Sequence, residues 1–143
     1  MSFTGEFRHT IDAKGRLIVP ARLRPELTGD KTVLSIYMNG CVAMWSGEGW
    51  EQLGQRLLAE GQSNPDARAT VRAIAASAHQ DEVDRQGRIT VPSNLRQWAG
   101  IDRDAVVIGA LDHAEIWTPE RWEEEQAKVE EGGLDELAQR LNF

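Results

Sequence analysis

The residues of this chain best placed to do chemistry form two short charged turns, Asp12-Ala13-Lys14-Gly15-Arg16 and Asp84-Arg85-Gln86-Gly87-Arg88. Both follow the pattern Asp-x-x-Gly-Arg. A carboxylate at the first position can accept the backbone N–H groups that close a tight reversal, and glycine at the fourth can take the positive φ that such a reversal demands. Each turn then presents an arginine, Arg16 or Arg88, at a fixed position. In one reading the Asp–Arg pair merely fastens the turn. That reading leaves Lys14, Arg8, Arg22 and Arg24 unexplained. Several cations in one short stretch are what phosphate contact and guanine recognition require.

Other chemistries lack their residues. His9, His79 and His113 are scattered with no partner at i, i+4, and there is neither a Gly-x-Ser-x-Gly elbow nor a phosphate-binding glycine loop. His113, between Asp112 and Glu115, has no nucleophile or metal-ligand set beside it and reads as a solvated hairpin histidine. Cys41, the only cysteine, cannot form an intrachain disulfide and reads as a packed apolar residue in a reducing cytoplasm. The chain is therefore expected to be no enzyme and to hold neither cofactor nor metal.

An internal repeat sets the positions of the turns. From Ile11 and Val83 onward the chain matches itself at an offset of 72 residues, through Val19-Pro20 and Val91-Pro92 to Trp45 and Trp117, and Trp50 and Trp122. Read without a gap, Ile36 falls on Ile108. Each unit predicts a short apolar strand after the turn (16–19 and 88–91) and then a short helix opened by proline (21–27 and 93–99). After a turn at Thr28-Gly29-Asp30 or Gly100-Ile101-Asp102, a hairpin is expected over 32–38 and 42–45, and again over 105–109 and 114–117. Asn39-Gly40 is its strongest signal. Ser46 and Thr118 are expected N-caps for helices over 48–60 and 119–131, and the alanine-rich segment 65–78 predicts a bridging helix. Gly132-Gly133 then precedes a helical tail over 134–141. Trp45, Trp50, Trp117 and Trp122 suit packing of helix on sheet, or a subunit interface, better than base stacking. Neither half is large enough for a comfortable core, so the halves are expected to interlock.

The chain has 143 residues and a net charge of -7, which on its face argues against nucleic acid. The distribution matters more than the sum. Arg8, Lys14, Arg16, Arg22 and Arg24 face only Glu6 and Asp12 in the first 24 residues, while the acidity concentrates beyond residue 119, as in Glu123-Glu124-Glu125 and Glu130-Glu131. Exposed charges are screened over about 8 Å, so an acidic tail can coexist with a basic face. No signal peptide and no membrane span are expected.

On these two Asp-x-x-Gly-Arg/Val-Pro units, on Phe3-x-Gly5 and on the Trp-bearing helix after each unit, the sequence resembles the MraZ family over essentially its whole length. The resemblance implies an α+β fold of two tandem AbrB-like swapped-hairpin β units forming a pseudo-dimeric barrel with flanking helices. The first SpoVT-AbrB repeat covers 3–60, a linking helix 61–78, the second repeat 79–131 and a C-terminal helical tail 132–143. It further implies a transcription factor, usually a repressor, acting on the division and cell-wall gene cluster that includes its own gene. Its partners would be double-stranded DNA carrying tandem promoter repeats and further copies of itself in a closed ring, in the cytoplasm at the nucleoid. Asp12 and Arg16 match the family's DNA-binding motif with Lys14 as basic neighbour. Asp84 and Arg88 match it again, although Gln86 replaces the lysine and Arg85 supplies charge one position earlier. In that scheme Arg16 meets base edges, Lys14 and Arg8 meet phosphates, and Asp12, Gly15, Asp84 and Gly87 orient the arginines. The rival reading is an AbrB-like protein-interaction module of antitoxin type, with the acidic tail as its surface. The apolar spacing of Leu134, Leu137, Ala138 and Leu141 suits a docking helix, on a neighbouring subunit, better than a disordered toxin-binding tail.

Overall fold

The computed structural model describes residues 2–27 and 31–143, so the turn expected at Thr28-Gly29-Asp30 lies outside the described residues. Among the described residues eight strands form: β1 (Glu6–Thr10), β2 (Arg16–Ile18), β3 (Thr32–Ile36), β4 (Val42–Ser46), β5 (His79–Asp81), β6 (Arg88–Thr90), β7 (Asp104–Gly109) and β8 (Ala114–Trp117). Six make one antiparallel sheet in the order β1-β7-β8-β4-β3-β5, and β2 and β6 make a separate antiparallel ribbon. The fold is thus mixed α+β. Among the described residues the sheet order is linear, with β1 and β5 at its edges, and no barrel closes. Most ladders join the two repeats: β1 pairs with β7, β3 with β5, β4 with β8 and β2 with β6. Without the other, each repeat would keep only its own hairpin, β3–β4 or β7–β8.

Alternation along the strands separates two faces. Leu34, Val42, Met44, Ala105, Val107, Ala114 and Ile116 point to one side, where the ribbon residues Leu17 and Ile89 complete the largest core cluster. On the other side Val106, Ile108 and Trp117 pack with Trp122, and Val33, Ala43 and Trp45 pack with Trp50 and Leu53. The four tryptophans of the repeat therefore join helix to sheet. Cys41 is fully buried, and burial pushes its thiol pKa up, as expected of a packed apolar residue.

The helices are α1 (Gly47–Ser63), α2 (Pro65–Ser77), α3 (Ser93–Ala99), α4 (Pro119–Lys128) and α5 (Leu134–Leu141). Ser46 Oγ accepts from Gly49 N and Thr118 Oγ1 from Arg121 N, the caps the sequence predicts. The helix expected over 21–27 does not form. The chain makes turns there and then a 3-10 turn, Arg24–Leu27, because Pro25 supplies no N–H and disfavours helical geometry at Arg24. In the second repeat Gln97 stands in the corresponding place, and α3 runs to a left-handed Gly100. A π turn, Val129–Gly133, ends α4 earlier than predicted, with Gly132 at φ 105°.

The repeat is not gapless in space. Leu34 lies opposite Met44, whereas the residue opposite Ile116 is Val107. The spatial match of β3 to β7 is thus Leu34 to Val107, an offset of 73, and it returns to 72 at Met44 and Ile116. The second hairpin loop is correspondingly one residue shorter. The first reverses through Asn39 and Gly40 at φ 60° and 74°, the second with Leu111 at φ 77°.

That second loop places His113 against Trp45, and the expectation of a solvated histidine is overturned: it is 5% exposed. Its Nδ1 lies 2.6 Å from Asp112 Oδ1 and its Nε2 2.8 Å from Glu115 Oε2. With a carboxylate at each ring nitrogen, both nitrogens donate and the ring is held as a cation. The ring stacks on Trp45 at 4.5 Å and meets the edge of Tyr37 at 4.9 Å. Burial pushes its pKa down, but the hydrogen bonds and charges of Glu115 and Asp112 outweigh burial and hold it above 6.5. A folded-state pKa above the unfolded one stabilises the fold fully below about pH 6.5, and this contribution fades as pH rises through the raised value. The urea midpoint of the wild type is therefore expected to fall across that window, and His113→Gln to remove that part of the fall. Parallel pH profiles for the two proteins would contradict the assignment.

Candidate nucleic-acid interface

Both charged turns close through the same bonds. Asp12 Oδ1 accepts from Lys14 N and Arg16 N, each at 2.9 Å, and Oδ2 accepts from Arg16 Nε at 2.8 Å. Asp84 Oδ1 accepts from Gln86 N at 2.8 Å and Arg88 N at 2.9 Å, and Oδ2 from Arg88 Nε at 3.1 Å. The backbone N–H of each arginine, then its guanidinium and the second turn N–H, hold the two carboxyls below the usual carboxylate range despite some desolvation. Gly15 and Gly87 sit at φ 81° and 79°. Each aspartate grips its arginine only through Nε, so neither guanidinium has a protein partner at its Nη groups among the described residues.

Each turn is also held by the opposite repeat. Val19 N donates to Gly87 O and Val91 N to Gly15 O, both at 2.7 Å. Arg24 Nε donates to Val19 O and Arg96 Nε to Val91 O, both at 2.9 Å. The Arg96 guanidinium backs onto Gly15 and that of Arg24 onto Gly87, where a Cβ would meet it. Arg24, counted by the sequence among the free cations, is therefore a packing residue. Nothing in the one-dimensional pattern separates it from Arg16, since both recur 72 residues on, as Arg96 and Arg88.

The ribbon register pairs Arg16 with Thr90, Leu17 with Ile89 and Ile18 with Arg88. Leu17 and Ile89 point into the core, so Arg16 and Arg88 share the outer face with Ile18 and Thr90. Strand spacing puts the two arginine Cα atoms about 8 Å apart on the diagonal. Their side chains are 33% and 29% exposed, enough to reach a ligand and restrained enough to keep their aim. Lys14 and Arg85 are exposed on the turns that flank this face, one at each end of the ribbon.

Arg8 is not brought to this face. It lies opposite Val106 on the helix-covered side of the sheet and pairs with Glu6 at 3.4 Å, while its neighbour Phe7 packs on the ribbon side. Arg22 is exposed in the turn before the 3-10 segment. Among the described residues no group of three or more His, Cys, Asp or Glu side chains could hold a metal ion, and no helix is long and apolar enough to cross a membrane. Two contributors escaped the sequence reading, Ile18 and Thr90. The alternation Arg-Leu-Ile and Arg-Ile-Thr was the signal that places them beside the arginines.

A family model described as "MraZ protein, putative antitoxin-like" matches the chain twice, over residues 2–73 and 74–142. The transcriptional regulator MraZ of Moorella thermoacetica is 46% identical over 122 residues, covering 85% of each chain. That of Desulforamulus reducens is 40% identical over 139 residues, covering 97% of this chain and 96% of the relative. That of Ligilactobacillus salivarius is 42% identical over 139 residues, with the same coverage.

The turn glycines give a direct test of the interlock. The positive φ alone is expected to make Gly15→Ala and Gly87→Ala each cost about 1–2 kcal/mol. Gly15→Ala is expected to cost more, because its Cβ would stand 2.9 Å from the Val91 carbonyl oxygen, a backbone atom, whereas the obstacle at Gly87 is the end of the Arg24 side chain. Equilibrium urea denaturation measures both, and a larger loss at Gly87 would contradict the packing described.

Proposed function

We propose that this chain, which belongs to the MraZ family, regulates transcription by reading duplex DNA with the arginines of its β2–β6 ribbon. The observation that carries the reading is the pair of aspartate-held guanidiniums, both open at their Nη groups among the described residues and both on one face. A two-stranded ribbon fits the major groove, and a guanidinium fork presented end-on matches the O6 and N7 acceptors of guanine. In this scheme Arg16 and Arg88 read bases, Asp12 and Asp84 orient them, and Gly15 and Gly87 let the turns form. Lys14 and Arg85 meet the flanking phosphates, which position the ribbon without specifying sequence. Arg8 joins them only where DNA bends over the sheet edge.

The finer reading is a repressor of the division and cell-wall gene cluster, its own gene included, in the cytoplasm at the nucleoid. Two SpoVT-AbrB repeats, 3–60 and 79–131, interlock as a pseudo-dimer of the swapped-hairpin kind, and the cross-repeat ladders support it. Copies of the chain assemble into a ring on tandem promoter repeats. One small ribbon binds weakly, and repeated ribbons spaced to match repeated sites combine through effective concentration.

Fluorescence anisotropy with duplex DNA from upstream of the gene tests the reading. Wild-type binding is expected to need tandem repeats and to weaken steeply with salt. Arg16→Ala and Arg88→Ala are each expected to lose about 1–3 kcal/mol per contact, while Lys14→Ala weakens all sequences alike and flattens the salt dependence. Equal, weak binding to promoter and scrambled DNA at physiological salt would sink the sequence-specific reading, and a protein partner of antitoxin type would then be sought by pull-down.

A further inference from the structure

The two repeats end differently. In the first, α2 folds back against α1 and β3. In the second, the π turn at Gly132 carries α5 outward, where its substantial packing is with that turn alone. Leu134, Leu137 and Leu141 form a stripe along α5 that is 55%, 45% and 62% exposed, continued by Phe143 at 73%. A monomer gains nothing from displaying this stripe.

Elsewhere on the same chain lies an apolar groove of about 670 Å³ between the α1–α2 hairpin and the β3–β4 turn. Leu53, Leu57 and Ile74 form one wall, and Met38 and Trp98 form the opposite lip. Both lip residues are exposed, at 64% and 44%. The charged side chain of the lining is Arg121, fixed by bonds from its Nη1 to Gly40 O at 2.8 Å and Trp98 O at 3.1 Å, a cation that suits an acidic partner. The α5 stripe is bordered by Glu130, Glu131, Asp135 and Glu136.

We propose that the α5 stripe of one copy of this chain seats in the α1–α2/β3–β4 groove of the next copy. The helix of the same chain does not fill this groove: Leu134, Leu137 and Leu141 stay exposed, and α5 packs substantially only with the π turn. Stripe and groove are different patches, so the contact is heterologous and head-to-tail, which closes a ring when the rotation between copies divides a full turn. The inference rests on the assembly reading above and assigns it a surface.

Sedimentation equilibrium over a concentration series, up to the solubility limit, tests it on the full chain and two variants at exposed positions, Leu137→Asp on α5 and Met38→Glu on the groove lip. Wild type is expected to be multimeric, and each variant alone is expected to have the monomer mass. An equal mixture is expected to reach twice the monomer mass and stop, because one variant keeps a sound groove and the other a sound helix. A monomeric wild type would overturn the assembly reading and this contact with it. A multimeric wild type with unchanged variants would overturn the contact alone. A mixture that stays monomeric would show that helix and groove are not the halves of one interface.

Discussion

The structure depends on a reciprocal pair of backbone hydrogen bonds, Val19 N to Gly87 O and Val91 N to Gly15 O. Each repeat lends a carbonyl from its charged turn to a strand end of the other. A single such bond contributes about 1 kcal/mol, too little to order a loop against its entropy. These two flank Leu17 and Ile89, which face each other across the ribbon and are 0% and 1% exposed. Burying two such side chains contributes roughly 1.5–3 kcal/mol each, so it is the apolar contact that decides the interlock, while the bonds set its register. The same register puts Arg16 and Arg88 on one face. The aim of the two arginines is therefore a property of the whole chain, not of either turn.

The near-symmetry is broken at several places that leave the ribbon pairing intact. The slip in β7 moves Val106 to the helix-covered face and Val107 to the ribbon side, as a one-residue shift must. The shorter second loop that results brings His113 under Trp45, and its two carboxylates supply what a buried cation requires. The third difference is the far end of the second repeat, where α5 keeps an apolar stripe with nothing over it. The other departure, the 3-10 turn Arg24–Leu27 in place of α3, lies on the ribbon side, yet it keeps the Arg24 bond to Val19 O that matches Arg96 to Val91 O. The basic ribbon face and the acidic tail occupy separate surfaces, which is how a chain of net charge -7 can carry a cationic face.

Much of this was legible because it is local. The Asp-x-x-Gly-Arg turn closes within five residues, and its aspartate bonds and positive-φ glycine follow from residue type alone. The Asn39-Gly40 reversal and the Ser46 and Thr118 caps are legible for the same reason. What escaped reading depends on distant partners. β1 and β5 are short and largely polar, and they become strands only because β7 and β3 offer open edges. Arg24 looks like Arg16 in a list of cations, and only the opposite repeat's glycine makes it a packing residue. His113 sits beside its carboxylates in sequence, but its burial comes from Tyr37 and Trp45 of the other hairpin. Pro25 interrupts the segment for which the repeat predicts a helix over 21–27, and a 3-10 turn forms there instead.

The two repeats hold each other's turns as one cooperative unit. Native-state hydrogen exchange at the Val19 and Val91 amides tests it most directly. Both amides are expected to exchange only through global unfolding, with equal opening free energies that shift together with denaturant. If one of them opened locally, with a lower free energy and little denaturant dependence while the other stayed at the global value, the turns would be independent and the account would be contradicted.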